Sequence, residues 1–184
     1  MFKIRKYSVY VFIIFLTEFI LIIIFIFCRR FIFYDHILEM APGKQIAATR
    51  AISIGDEFLP AHFSRKPLMP ATLVLESVTQ VAGWLYIVTQ NFGISTVLAL
   101  AQGVEVCGEV CAGSTLRLEA SMTYAHTDGA TLRGSATCDG KLILQVERLV
   151  FASRPLAIPE DIQRSREFFY YISGGYQLNG TGRP

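Results

Sequence analysis

The chain has 184 residues, with 17 Lys and Arg against 15 Asp and Glu for a formal net charge of +2, which accommodates one ordinary domain with appendages and excludes two full hydrophobic cores. Its basic residues are scattered rather than striped, so the sequence presents no electrostatic footprint for a nucleic acid. The four cysteines, Cys28, Cys107, Cys111 and Cys138, include no C-x-x-C pair and no nearby histidine that would complete a zinc site, and they read as reduced thiols with no metal or other cofactor.

The first predicted element is apolar. Tyr7 to Cys28 is almost wholly Ile, Phe, Leu and Val, and about 22 residues of that kind can cross a bilayer. The run exceeds the apolar region of a signal peptide and ends in Cys28-Arg29-Arg30 without a small-residue cleavage pattern. It is therefore expected to be an uncleaved transmembrane helix, with residues 7–28 as the anchor. Glu18 in mid-run and the near balance of Lys3, Arg5 and Lys6 against Arg29 and Arg30 leave its orientation undecided. The alternative is an over-extended reading frame, with Met40 or a lost upstream start beginning the real protein. Residues 1–30 form this segment, 31–156 the folded domain and 157–184 a C-terminal tail.

From Tyr34 the text becomes that of a soluble domain. Tyr34 to Glu39 reads as a short helix or turn closed by Pro42-Gly43, with His36 ahead of the fold proper. Gln45 to Ser53 is the first predicted strand, and Gly55 to Pro70 is a loop broken by Pro60, Pro67 and Pro70. Pro70 opens a helix in which Val74, Val78, Ala82 and Leu85 share a face while Leu75 and Trp84 widen the apolar surface nearly all round. Such a helix must sit at the centre of something. Beyond Asn91-Phe92-Gly93 the period becomes that of strands: Thr96 to Val106, Ser114 to His126, Ala130 to Asp139 and Lys141 to Ser153, with Asp128-Gly129 and Asp139-Gly140 turns that predict an antiparallel meander. The expected class is α+β, a sheet around one long helix. Glu160 to Tyr171 can form a short amphipathic helix, to which no function is assigned.

Chemistry concentrates in the stretch from Phe58 to Gly83. His62 lies on a proline-stiffened loop, and Glu76 lies a turn and a half inside the apolar helix. A carboxyl buried among apolar residues tends to hold its proton while a loop histidine beside a cleft can be a neutral base, and environments that separate two groups in this way suit an acid and base pair. Gln80, one helical turn after Glu76, can hydrogen-bond and orient the carboxyl, and Gly83 is expected to leave room above that face. His126 and His36 read as structural or exposed, Tyr124 and Arg117 as residues of a sheet face. Phe58, Phe63 and Trp84 could line an acyl tunnel or pack the core.

This stretch resembles the FabZ and FabA family of 3-hydroxyacyl-[acyl-carrier-protein] dehydratases, whose motif runs H-F-x-x-x-P-x-M-P-G-x-L-x-x-E/D with a glutamine four positions after the acid. His62, Phe63, Pro67, Met69, Pro70, Leu73, Glu76 and Gln80 fall in register, and Leu38 to Lys44 is similar to the family's opening L-E-x-x-P-G-K. The resemblance covers about Tyr34 to Pro155. It implies a hot-dog fold, an antiparallel sheet wrapped around the long helix, in homodimers or trimers of dimers in which His62 of one protomer meets Glu76 of the other. It further implies dehydration of 3-hydroxyacyl thioesters on acyl carrier protein or coenzyme A by a cytoplasmic catalytic domain, with His62 as base, Glu76 as acid and the backbone N–H of Ala71 for the enolate oxygen. Non-catalytic acyl-thioester binding and thioesterase activity are the alternatives. Three positions depart from the pattern. Ala71 replaces the motif glycine, Ser64 replaces a proline, and Gly103 to Glu109 lacks the Lys and Arg residues that typical members present to the acidic carrier. Arg65 and Lys66 are left as the candidate carrier contacts.

Overall fold

The computed structural model describes residues 31–59, 66–173 and 176. The predicted transmembrane run at 7–28 lies outside them, as do the glycine-rich stretches of the tail. In chain order the elements are β1 (His36–Ala41), β2 (Gln45–Ala51), α1 (Ala71–Thr89), β3 (Ile94–Val106), β4 (Thr115–Ala125), β5 (Gly129–Cys138), β6 (Lys141–Pro155) and α2 (Pro159–Ile172). The strands form one six-stranded sheet in the order β1-β2-β4-β5-β6-β3, and every neighbouring pair is antiparallel. Among the described residues, α1 alone is long and apolar enough to cross a membrane, but it serves as the core helix. Val74, Val78, Ala82 and Leu85 are all buried, as their spacing predicted.

Alternation along the strands supplies the other half of the core. Leu116, Leu118 and Ala120 of β4, Leu132 and Ala136 of β5, and Leu144, Val146, Leu149 and Phe151 of β6 are buried, each removed from water together with the helix surface it meets. Two glycines set how closely sheet and helix approach. A Cβ at Gly134 would lie 2.4 Å from Cγ1 of Val78 and 3.1 Å from the carbonyl of Glu119, and one at Gly83 would lie 3.5 Å from the ring of Phe151. Gly83 thus serves sheet packing, rather than opening space beside Glu76 as the sequence suggested.

The opening segment corrects the sequence reading. His36–Ala41 is a strand, paired from His36 opposite Thr49 to Ala41 opposite Gln45, where a short helix or turn was expected. His36 therefore belongs to the fold. Ile37 is buried and its neighbours are not, a single inward residue too sparse to display a period of two. The hairpin turns at Gly43, whose φ of 75° suits glycine. The first predicted strand is shortened to Gln45–Ala51 because Ser53 receives the turn formed by Asp56, whose carboxylate accepts from the Ser53 N–H at 2.9 Å.

The two ends of α1 are treated differently. At its C-terminus, Asn91 and Phe92 take φ values of 52° and 63°, an unfavourable conformation for non-glycine residues. Phe92 is held there by burial against Phe169 of α2, with ring centroids 5.6 Å apart. Trp84 packs 5.3 Å from Phe169 and 6.1 Å from Phe168, which makes it a core residue. Tyr86 donates to the carbonyl of His126 at 2.5 Å and shares a 2.8 Å hydrogen bond with Ser153. Helix α2 confirms the amphipathic element expected in the tail.

Two outcomes test this packing. Gly134→Ala should destabilise the fold by about 1–3 kcal/mol, the usual cost of overpacking, and Val78→Ala in the same chain should recover part of that loss, read as the thermal midpoints of both single variants and the double variant. Tyr34 supplies the second. Its hydroxyl is buried without a hydrogen-bond partner among the described residues, and burial pushes the phenol well above its ordinary range. The native state keeps the phenol neutral while the unfolded chain ionises it at about pH 10, so stability is unaffected below that pH and falls progressively as pH rises above it toward the raised native value. Tyr34→Phe should remove that alkaline slope without lowering stability at pH 7.

Candidate functional site

Pro70 ends the proline-rich segment and α1 begins at the next residue. The opening N–H groups of a helix have no intrahelical acceptor, and the dipole makes this end partially positive. Ala71, the residue predicted to present such an N–H, is the first residue of the helix and is exposed. Met69 is fixed just before it by donating its N–H to the carbonyl of Val110 at 2.8 Å, and Leu68 bridges to Cys111. The connection after β3 therefore straps the segment that leads into α1.

One turn on, Glu76 and Gln80 meet as their spacing predicted, with Nε2 of Gln80 donating to Oε1 of Glu76 at 2.9 Å. Glu76 is half-buried in the single chain. The expectation of a carboxyl buried among apolar residues is corrected to that extent, since Glu76 and Leu73 both remain half-exposed. Gln80 has a second partner that sequence reasoning missed: its Oε1 accepts the backbone N–H of Phe33 at 3.0 Å. A main-chain donor 47 residues away leaves no mark in a motif.

His62, Phe63, Ser64 and Arg65 lie outside the described residues. The stem that precedes them is anchored by Leu59 and Phe58. Leu59 is buried, and the ring of Phe58 lies 6.4 Å from that of Phe33 at 58°. Arg50 joins the start of this stem to the segment before β1, donating to Asp35 at 3.0 Å and to Asp56 at 2.9 Å. Asp35 also accepts the N–H of Ala51 at 2.6 Å. This cluster, too, went unread in the sequence, since nothing in the spacing of Asp35, Arg50 and Asp56 announces that they converge.

Lys66 forms an ion pair with Glu109, whose hydrogen bond and charge raise the ammonium above its usual range. Both side chains are exposed, so the pair contributes little stability, but it occupies the charge that was expected to serve a carrier. Arg117 of the sheet face is likewise engaged, with Glu39 at 3.0 Å and Glu119 at 2.7 Å. Together with Arg133, Ser135, Gln145 and others, these residues line a groove of about 450 Å³. Strand alternation puts these side chains opposite the buried residues that meet α1, so the groove is separate from the Glu76 face. His126 is exposed and bonded through Nδ1 to Asp128 at 2.8 Å, in keeping with a structural role.

Against known proteins, residues 27–147 match the family model described as FabA-like domain. Among curated relatives, a 3-hydroxyacyl-[acyl-carrier-protein] dehydratase FabZ of Ruminiclostridium cellulolyticum is 30% identical over 118 residues, 64% of this chain and 83% of that protein. The FabZ of Geobacillus thermodenitrificans is 32% identical over 126 residues, 66% of this chain and 84% of that protein. Solved structures share the fold at lower identity. A hypothetical thioesterase protein with coenzyme A from Streptococcus pneumoniae aligns with a TM-score of 0.54 at 10% identity, over 65% of this chain and 85% of its own. A Streptococcus mutans protein bound to acetyl CoA also aligns at 0.54, with 12% identity over 66% and 89%. The helix enclosed by an antiparallel sheet, the acid and glutamine pair at its N-terminal half and the match over most of the folded domain place this chain in the FabZ and FabA family of 3-hydroxyacyl-[acyl-carrier-protein] dehydratases.

Proposed function

We propose that this chain dehydrates 3-hydroxyacyl thioesters to trans-2-enoyl thioesters, with His62 as base and Glu76 as acid across a dimer interface. The observation that carries the reading is the Glu76 and Gln80 hydrogen bond, set on a half-buried helix face just beyond the free amides of the α1 N-terminus. His62 takes the proton from the α-carbon, and the electron pair of that C–H bond becomes the new C=C bond. The β-carbon to oxygen bond breaks as Glu76 gives its proton to the departing hydroxyl, which leaves as water. Charge that builds on the thioester oxygen meets the N–H of Ala71 at the positive end of the helix. Ala71 adds a methyl group to that approach, which narrows the fit for the acyl group.

The sheet supports the dimer. β3 is the last strand of the sheet and, among the described residues, pairs only with β6, so its outer edge offers a row of backbone donors and acceptors along a 13-residue strand. Along it Leu100, Val104 and Val106 are 48%, 41% and 54% exposed. A long, partly apolar edge of this kind invites pairing, and two-fold pairing of two copies would bring their sites together. The paired Lys66 weakens attraction for an acidic carrier, so coenzyme A esters stand beside carrier-bound substrates.

The assay follows enoyl absorbance with 3-hydroxyacyl thioesters of both carriers. His62→Ala and Glu76→Gln should each lower kcat on the order of a hundred- to ten-thousand-fold with the fold intact. Refolding the two inactive variants together should restore roughly a quarter of wild-type activity, because half the dimers are mixed and each mixed dimer holds one complete site. Full activity in either variant, or release of free thiol in place of enoyl product, would overturn the reading, the latter in favour of a thioesterase. We also propose that residues 7–28 anchor the catalytic domain to a membrane. The native chain should then sediment with membranes and be released by detergent and not by salt.

A further inference from the structure

We propose that the backbone N–H of Phe33 fixes the sense of the Gln80 amide and so leaves Oε2 of Glu76 as the oxygen that holds and delivers the catalytic proton. This rests on the dehydratase reading and adds a positioning residue to it. An amide side chain has a donor end and an acceptor end, and it can present either to a neighbour by a half-turn about its last torsion. The backbone N–H of Phe33 can only donate. By occupying Oε1 of Gln80 at 3.0 Å it obliges Nε2 to face Glu76, which it does at 2.9 Å.

The consequence for Glu76 is directional. Its Oε1 accepts from Gln80, so its own hydrogen resides on Oε2. A donor at the carboxylate favours the charged form, which eases release of the proton. In the reversed sense the carbonyl of Gln80 would accept the Glu76 proton and retain it. Phe33 is well placed to enforce one sense. It is buried, the chain two residues on is pinned by the Asp35 N–H to the carbonyl of Thr49 at 2.7 Å, and its ring packs on Phe58, four residues before His62 in the chain. The same residue thus touches the helix that carries the acid and the stem that leads to the base.

Phe33→Pro removes the N–H, and Gln80→Leu removes the amide. Each should lower kcat about tenfold, the factor supplied by one hydrogen bond of ordinary net strength, with little change in KM. Each should also move the pH limb set by Glu76 upward. Phe33→Leu, which keeps the N–H, should shift that limb less than Phe33→Pro does. In the Gln80→Leu background Phe33→Pro should add nothing further. A folded Phe33→Pro chain with the wild-type kcat and pH profile, or full additivity of the two changes, overturns the proposal. Hydrogen exchange reads the contact without a proline: the Phe33 amide should exchange about tenfold faster in folded Gln80→Leu than in wild type, and unchanged exchange overturns the lock. An inactive wild-type chain would defeat the proposed function, while the exchange result would still judge the hydrogen bond.

Discussion

The structure depends on the enclosure of α1. A helix apolar on nearly every side cannot face water, and a sheet that alternates apolar and polar residues has one face to offer it. Contact distance is then set by the places where no side chain intervenes, Gly134 against Val78 and Gly83 against Phe151. Once the helix is seated in the sheet, its rotation is fixed. That rotation decides which of its residues remain reachable, and Glu76 and Gln80 are among the half-buried ones.

In the proposed reading, the two ends of the helix divide the work between stability and chemistry. The C-terminal end is sealed by Trp84, Phe92 and Phe169, and by the Tyr86 hydroxyl bound to His126 and Ser153. The N-terminal end keeps its first amides and the Glu76 carboxyl accessible. Its surroundings are ordered from outside the helix, through the Arg50 cluster with Asp35 and Asp56 and through Met69 bound to Val110. Rigid neighbours around an open face are what an acid and a charge-stabilising amide require, since each must be held before substrate arrives.

Surface charge is arranged differently from chemistry. Lys66 and Arg117 are cations in the sequence, yet each is engaged by carboxylates in the fold. A count of basic residues near the motif therefore overstates the positive field available to an acidic partner. Glu109 in particular lies in the stretch that lacks the family's basic residues, and it pairs with the one described cation beside the motif.

The sequence by itself determined the elements whose signals are local: the buried helix, from four aligned apolar positions and the proline before it, the β4-β5-β6 meander, from alternation and Asp-Gly turns, and the Glu76 to Gln80 contact, which needs only one helical turn. Where the signal was sparse it misled. β1 has a single inward side chain, Ile37, and becomes a strand because β2 is there to pair with it. Gly83 and Lys66 carry no local sign of their partners, Phe151 and Glu109. Only the tertiary structure decided which end of the Gln80 amide meets Phe33, that Arg50 gathers Asp35 and Asp56, and how much of Glu76 stays exposed. These are contacts between segments far apart in the chain, and their geometry exists only after the sheet has closed on the helix.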